Sequence, residues 1–144
     1  MYKKLVIAAA GMILVAAGGA SAADLVKVAS FVSPKSIGVT KVIKPWMEKV
    51  RADIGNSAEL KGFWGGSLGK SPVKQYELVK NGVADVAWIL PGYTAGQFPE
   101  MQIVELPFLV DNANEAGLVV QRLHDAGHQT GLGAVKLLGA WATS

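Results

Sequence analysis

Apolar residues recur along the chain in short runs bounded by turn-forming residues, and segments with helical spacing separate the runs. Runs rich in valine and aromatic residues cover residues 25–32, 58–64, 83–90 and 134–141, which predicts four strands. Residues 83–90 are almost continuously apolar, as expected of a strand that is covered on both faces.

Helical periodicity fills the gaps between these runs. Apolar residues at three- and four-residue spacings predict helices over residues 37–54, 72–81 and 113–127. Pro45 lies inside the first helix and removes the bond to the carbonyl of Lys41, so we expect a kink there. The alternation of strands and helices implies right-handed crossovers and an α/β fold, with a parallel sheet flanked by helices.

The first 23 residues read as a sorting signal. A short basic start precedes the apolar run 5–17, and Ala20-Ser21-Ala22 has the small-residue pattern that signal peptidase cleaves, after residue 22 or 23. A membrane-spanning anchor is the alternative, but the glycine, alanine and serine after residue 17 partition weakly into lipid. We therefore expect export to the periplasm and no stable membrane insertion after cleavage.

Charge and cysteine content narrow the functional classes. The chain has 14 Lys and Arg against 11 Asp and Glu. Two of the basic residues lie in the signal, so the exported part is close to neutral. No segment concentrates basic residues, which excludes a nucleic-acid footprint. The chain has no cysteine and therefore no disulfide.

Residues 64–71, WGGSLGKS, resemble a phosphate-binding loop between a strand and a helix. That loop needs four residues between its first glycine and the Gly-Lys-Ser end. Only three separate Gly65 from Gly69, and the position that should be glycine is Trp64. We expect no nucleotide and no cofactor, although the helix start can still attract an anion.

His124 and His128 repeat the spacing of a zinc-protease helix, with Asp125 in place of glutamate. Two histidines four residues apart can share a metal, which keeps an exported metal-dependent hydrolase as the alternative function. Gly127 frays the helix at His128, and no third ligand is evident. We therefore expect no metal site and no enzyme.

Aromatic residues gather where strands give way to loops. Trp64 and Tyr93 lie at such junctions, where open α/β sheets bind ligands, and the Tyr93 hydroxyl can donate to an anionic or hydroxylated ligand. Trp88 lies inside a predicted strand and is assigned to the core. The only arginines, Arg51 and Arg122, lie away from these loops, so no bidentate clamp for a carboxylate is visible.

The order and spacing of several short motifs resemble the periplasmic solute-binding proteins of TRAP transporters, the dicarboxylate-binding, DctP-like type. The motifs are Gly66-Ser67-Leu68-Gly69, Glu77-Leu78-Val79, Asn81-Gly82-Val83-Ala84-Asp85, Pro91-Gly92-Tyr93, Phe98-Pro99 and Glu105-Leu106-Pro107-Phe108. The resemblance covers nearly all of residues 24–141. It implies a two-lobed binding protein that closes on a small organic acid and hands it to a membrane permease.

The resemblance also implies a division of the chain. Residues 24–135 correspond to part of the first ligand-binding lobe of a periplasmic-binding-protein-like fold, and residues 136–144 to the start of a strand that crosses to a second lobe. The family's carboxylate-clamping arginine comes from that second lobe. We therefore expect the chain to be an N-terminal fragment.

By position, the family's first-lobe contacts fall on the loops after the first three strands and on one hinge-side residue. The implied ligand-binding residues are Phe31, Ser33, Pro34, Trp64, Gly65, Gly66, Pro91, Tyr93 and Phe108. These are binding roles without catalysis. The aromatic lining hints at an acid that is more apolar than succinate.

Overall fold

The computed structural model of the chain describes residues 23–142. The predicted signal, apart from Ala23, lies outside the described residues, as do residues 143–144. The elements are β1 (Asp24–Ala29), a π-helix (Gly38–Ile43) continuous with α1 (Lys44–Ile54), β2 (Ala58–Phe63), a 3-10 turn (Pro72–Lys74) continuous with α2 (Gln75–Lys80), β3 (Val86–Ala87), two 3-10 helices (Pro91–Thr94 and Pro99–Glu105) and α3 (Ala113–Asp125). Every helix between residues 23 and 142 is too short, or not apolar enough, to span a lipid bilayer.

β1 is the central strand of a three-stranded parallel sheet with the order β2-β1-β3. It pairs with β2 along its whole length, from Asp24 opposite Ala58 to Ala29 opposite Phe63, and with β3 at two positions. Parallel strands need crossover connections, which α1 and α2 supply. The predicted α/β fold, a parallel sheet with flanking helices, is confirmed.

β3 is much shorter than the strand predicted over residues 83–90. At its start, the Asp85 carboxylate accepts a hydrogen bond from the backbone N–H of Lys27 at 2.7 Å, a place that a backbone carbonyl takes in a longer ladder. At its end, the Trp88 N–H still donates to the carbonyl of Ala29 at 3.1 Å, but Pro91 then begins a 3-10 helix. A side-chain bond and a proline therefore shorten the strand.

Pro45 does not break the first helix. The preceding turns are π-helical, and the Lys44 N–H donates to the carbonyl of Val39, five residues back. Pro45 then lies in the first turn of α1, and the helix continues past it to Ile54. The chain therefore stays helical through Pro45, and the expected kink stays a prediction.

The hydrophobic core has two clusters. Core 1 lies between the sheet and the helix over residues 38–54 and consists of Val28, Val39, Ile43, Met47 and Leu60. Core 2 consists of Tyr76, Phe98 and Met101. The rings of Tyr76 and Phe98 meet edge to face, with their centroids 5.5 Å apart, a favoured aromatic geometry.

The strand predicted over residues 134–141 is not formed: after β3, no described residue belongs to a strand. The Val135 N–H instead donates to the carbonyl of Leu132 in a turn. Trp141 packs against core 1 and against the ring of Trp88. Side-chain packing thus holds this segment where a ladder was expected, and its proposed crossing to a second lobe stays a prediction.

Trp64, directly after β2, folds back over Gly62. Its indole fills the place that a side chain at Gly62 would occupy, and it packs half-buried against core 1. The absence of a Cβ at Gly62 therefore decides where this ring lies.

We predict that Gly62→Ala destabilises the fold, because the added methyl group must displace the Trp64 indole from core 1. Overpacking of this kind costs about 1–3 kcal/mol, and urea unfolding followed by circular dichroism measures it. Gly96→Ala is the matched control, since no described atom lies within 4 Å of a Cβ built there. Equal losses in the two variants would show that the Trp64 contact is unimportant.

The Glu100 carboxylate ties the loop after α3 to the second 3-10 helix. It accepts hydrogen bonds from the Thr130 hydroxyl at 2.7 Å and from the Thr130 N–H at 3.1 Å. The hydroxyl bond, which has the larger effect, and the N–H bond both hold the pKa of Glu100 below its usual value. A lowered pKa means that the stabilisation is present above the ordinary glutamate pKa and is lost as the pH falls through the folded-state value.

We therefore predict that Glu100→Gln lowers the melting temperature at neutral pH and that its deficit shrinks in acid, below about pH 4. Thermal unfolding of both proteins between pH 7 and pH 3 measures this convergence. Glu48→Gln, on the exposed face of α1, serves as the control. A deficit for Glu100→Gln that stays constant with pH would contradict the assigned role of the carboxylate.

Candidate ligand-binding site

The carboxyl ends of the three parallel strands bring three loops to one edge of the sheet. These loops are residues 30–36, 64–71 and 88–94. The first carries Phe31, Ser33 and Pro34, the second Trp64, Gly65 and Gly66, and the third Pro91 and Tyr93. Open α/β sheets bind ligands at this edge, so eight of the nine predicted residues belong to loops at one candidate site.

Gly65 and Gly66 join the first two loops. The Gly65 N–H donates to the carbonyl of Val32 at 2.8 Å, and the Gly66 N–H to that of Ser30 at 3.0 Å. Both glycines have positive φ, and a Cβ on Gly66 would lie 2.7 Å from Cα of Lys70. Because these two amides already have partners within the chain, the glycines shape the loop.

Gln75 holds the other end of the second loop. Its side chain is 1% exposed, and Nε2 donates to the carbonyls of Gly69 and Ser71, both at 2.9 Å. The Oε1 atom is buried and has no partner among the described residues. A glutamine at a helix start resembles a solvated residue in a sequence, so periodicity offers no signal for this role.

The turn after β1 presents Ser33 and Pro34 to solvent. The Ser33 hydroxyl accepts from the Lys35 N–H at 3.2 Å, and the Pro34 carbonyl accepts from the Lys44 ammonium at 3.4 Å. Both residues are therefore accessible to a ligand, on a turn that the chain itself holds.

Three aromatic rings form a row that begins at the end of β1. The ring centroids of Phe31 and Trp88 are 5.9 Å apart, and those of Trp88 and Trp141 are 5.3 Å apart, with planes tilted by 39° and 40°. All three rings are half-buried. We call Phe31, Trp88 and Trp141 the aromatic row. Trp88 packs against core 1, as the sequence predicts, but its contact with Phe31 also connects it to the loop edge.

The remaining predicted residues differ in placement. Tyr93 is 56% exposed on the 3-10 helix that begins at the half-buried Pro91. Trp64 lies against Gly62 and core 1, whereas the sequence places its ring toward the crevice. Phe108 is fully exposed after the second 3-10 helix and has a φ of 63°, so the structure does not pack it with the other eight.

The two histidines do not share a helical face. α3 ends at Asp125, and His128 follows in a turn in which Gly127 has a positive φ. His124 lies 3.1 Å, Nδ1 to Oε1, from Gln129. Between residues 23 and 142, no three metal-ligating side chains are grouped so that they could hold an ion. The geometry required for the hydrolase alternative is therefore missing from the described helix.

Comparison with protein families finds a match. The family described as bacterial extracellular solute-binding protein, family 7 (DctP), matches residues 28–132. This range contains all nine predicted ligand-binding residues and extends from β1 past the end of α3.

Solved structures share the fold. A TRAP solute-binding protein from a marine metagenome, described as specific for aromatic acid ligands, is 30% identical. Its triple surface mutant with metahydroxyphenylacetate has a TM-score of 0.74, covering 82% of this chain and 37% of that one. Its complex with 3-hydroxybenzoate has a TM-score of 0.75, covering 84% and 38%. A TRAP solute-binding protein from Rhodoferax ferrireducens, with copurified benzoate, is 38% identical, with a TM-score of 0.58 over 62% of this chain and 28% of that one.

The chain spans between 28% and 38% of the length of these solved chains. No curated protein matches it. The family match covers most of the described residues, and the parallel sheet with its flanking helices is shared with the solved relatives. The chain belongs to family 7 of the bacterial extracellular solute-binding proteins, the DctP family, together with TRAP solute-binding proteins.

Proposed function

We propose that this chain is the ligand-binding part of a periplasmic solute-binding component of a TRAP-type transporter. It captures a small organic acid with an aromatic ring and delivers it to membrane permease subunits, and it catalyses no reaction. The observation that carries the proposal is the aromatic row at the sheet edge where the three loops meet. The relatives described with aromatic acids support the choice of ligand.

The aromatic row suits a flat apolar ligand. Half-buried rings keep part of their surface accessible while their other contacts hold them in place. An added aromatic contact contributes about 0.5–1.5 kcal/mol beyond the area it buries. Since the rings are already ordered, little side-chain freedom is lost when a ligand binds.

The negative charge of the acid needs a separate partner. Arg51 donates to the carbonyl of Leu60 at 2.6 Å, and Arg122 lies on α3, so neither is on the three loops. Lys35 and Lys70 are exposed on the first two loops and attract an anion within about 8 Å at physiological salt. We propose that the arginine clamp belongs to a second lobe, a view supported by the greater length of the solved relatives.

The exported chain, residues 24–144, should bind benzoate and 3-hydroxybenzoate weakly, with a Kd of about 1 mM, or about −4 kcal/mol. The aromatic row supplies the ring contacts without the clamp. Ligand-observed NMR titration measures this affinity. Benzylamine, with the same ring and a positive charge, should bind more weakly, and so should cyclohexanecarboxylate, which has the charge without the aromatic ring.

Phe31→Leu provides the matched variant, because it keeps an apolar side chain but removes one ring of the row. We expect its Kd for benzoate to rise about two- to tenfold. If none of the acids binds saturably to the wild-type chain, the proposed function is contradicted. If benzylamine binds as tightly as benzoate, the site does not select acids.

Export also has a direct test. When the full chain is expressed in a bacterium with a periplasm, the periplasmic protein should begin at residue 23 or 24, as cleavage after a small-residue motif requires. Intact-mass measurement of the periplasmic fraction reads the cleavage position. Recovery of the uncleaved chain in the membrane would instead support an anchor.

A further inference from the structure

Gly38 lies directly against the indole of Trp88. A Cβ built on Gly38 would be 2.5 Å from Cη2, 2.8 Å from Cζ3 and 3.1 Å from Cζ2 of that ring. Carbon atoms in contact lie about 3.5–4.0 Å apart, so any side chain at this position would have to displace the ring or the helix. The glycine allows the ring to lie close to the helix backbone.

The close approach, and not the backbone conformation, requires glycine here. Gly38 is buried at the start of the π-helix, and it is not among the described glycines with positive φ. Alanine could adopt the same backbone and would favour a helix more than glycine does. Position 38 therefore requires glycine because glycine has no side chain.

The position of the Trp88 ring also affects the candidate site. It is the middle ring of the aromatic row, in contact with Phe31 on the loop after β1 and with Trp141. A shift of about 1 Å in its ring would restore ordinary separation from an alanine at position 38. The same shift would change the surface that the row presents at the sheet edge.

We propose that Gly38 is a positioning residue for ligand selectivity: by seating Trp88 against the helix, it sets the aromatic row for planar aromatic carboxylates over aliphatic ones. This inference rests on the proposed solute-binding function. An aromatic ring needs a defined stacking geometry, with centroids 4.5–7 Å apart, whereas a flexible aliphatic acid adapts to a displaced wall. Displacing Trp88 from the helix should therefore weaken the binding of aromatic ligands more than that of aliphatic ones.

The experiment compares Gly38→Ala, Trp88→Phe and the double variant with the wild-type exported chain, using NMR titration with benzoate and with succinate. Gly38→Ala should raise the Kd for benzoate about two- to tenfold and change the Kd for succinate by less than about twofold. The double variant should regain benzoate affinity relative to Gly38→Ala, because phenylalanine lacks the outer indole atoms that meet the methyl group. Gly133→Ala, with open space around its Cβ, should bind as wild type does.

Each result decides a different point. If wild type binds benzoate and Gly38→Ala changes both ligands equally, the inference is overturned while the proposed function stands. If wild type binds no organic acid, the function fails and the inference fails with it. If Gly38→Ala does not fold, as judged by circular dichroism, the double variant must fold and bind benzoate, since its clash is removed. A double variant that also fails to fold would overturn the inference, because contact with the Trp88 ring would then not be what position 38 accommodates.

Discussion

The pairing of β1 on both of its edges is the constraint on which the rest of the structure depends. Its two neighbours run in the same direction, so all three strands open onto one edge of the sheet. Val28, 1% exposed, fixes the register from the core side, because a slip of one residue would turn it out of core 1. The N–H groups of Gly65 and Gly66 then donate to carbonyls just past β1, so the loops after β1 and β2 stay hydrogen-bonded to each other beyond the strands.

Close approaches at glycine set the finer geometry of this edge. Gly62 makes room for the Trp64 ring, Gly66 for the backbone of Lys70, and Gly38 for the Trp88 ring. Two of the four tryptophans therefore lie where the chain omits a Cβ. Of these two rings, Trp88 belongs to the aromatic row, and a ring held in this way lowers the ordering cost of the proposed binding of a flat apolar ligand.

Elements that follow from local spacing are predictable from the sequence, and those that depend on distant contacts are not. The hydrophobic pattern predicts β1, β2 and the helical segment 37–54 within a few residues. It predicts β3 too long, because it does not encode the bond between Asp85 and Lys27. For the segment after residue 133, the hydrophobic pattern contains no signal that Trp141 packs on a ring 53 positions earlier in the chain instead of joining the sheet.

The location of the candidate site is easier to predict from the sequence than the residues that shape it. Parallel strands share an edge, so the three loops can be found from the order of the elements alone. Gln75 and Gly38 cannot, since a buried amide and a missing Cβ acquire their roles only from tertiary neighbours. The ligand contacts of the nine sequence-derived residues remain predictions.

The central claim is that the aromatic row contacts the ring of a bound organic acid. The chain has four tryptophans, so its nitrogen-15 spectrum offers four indole N–H signals. During titration with 3-hydroxybenzoate, the signals of Trp88 and Trp141 should move saturably, while that of Trp46, on α1 against core 1, stays in place. Saturable movement of Trp46 with Trp88 and Trp141 unchanged would contradict the account.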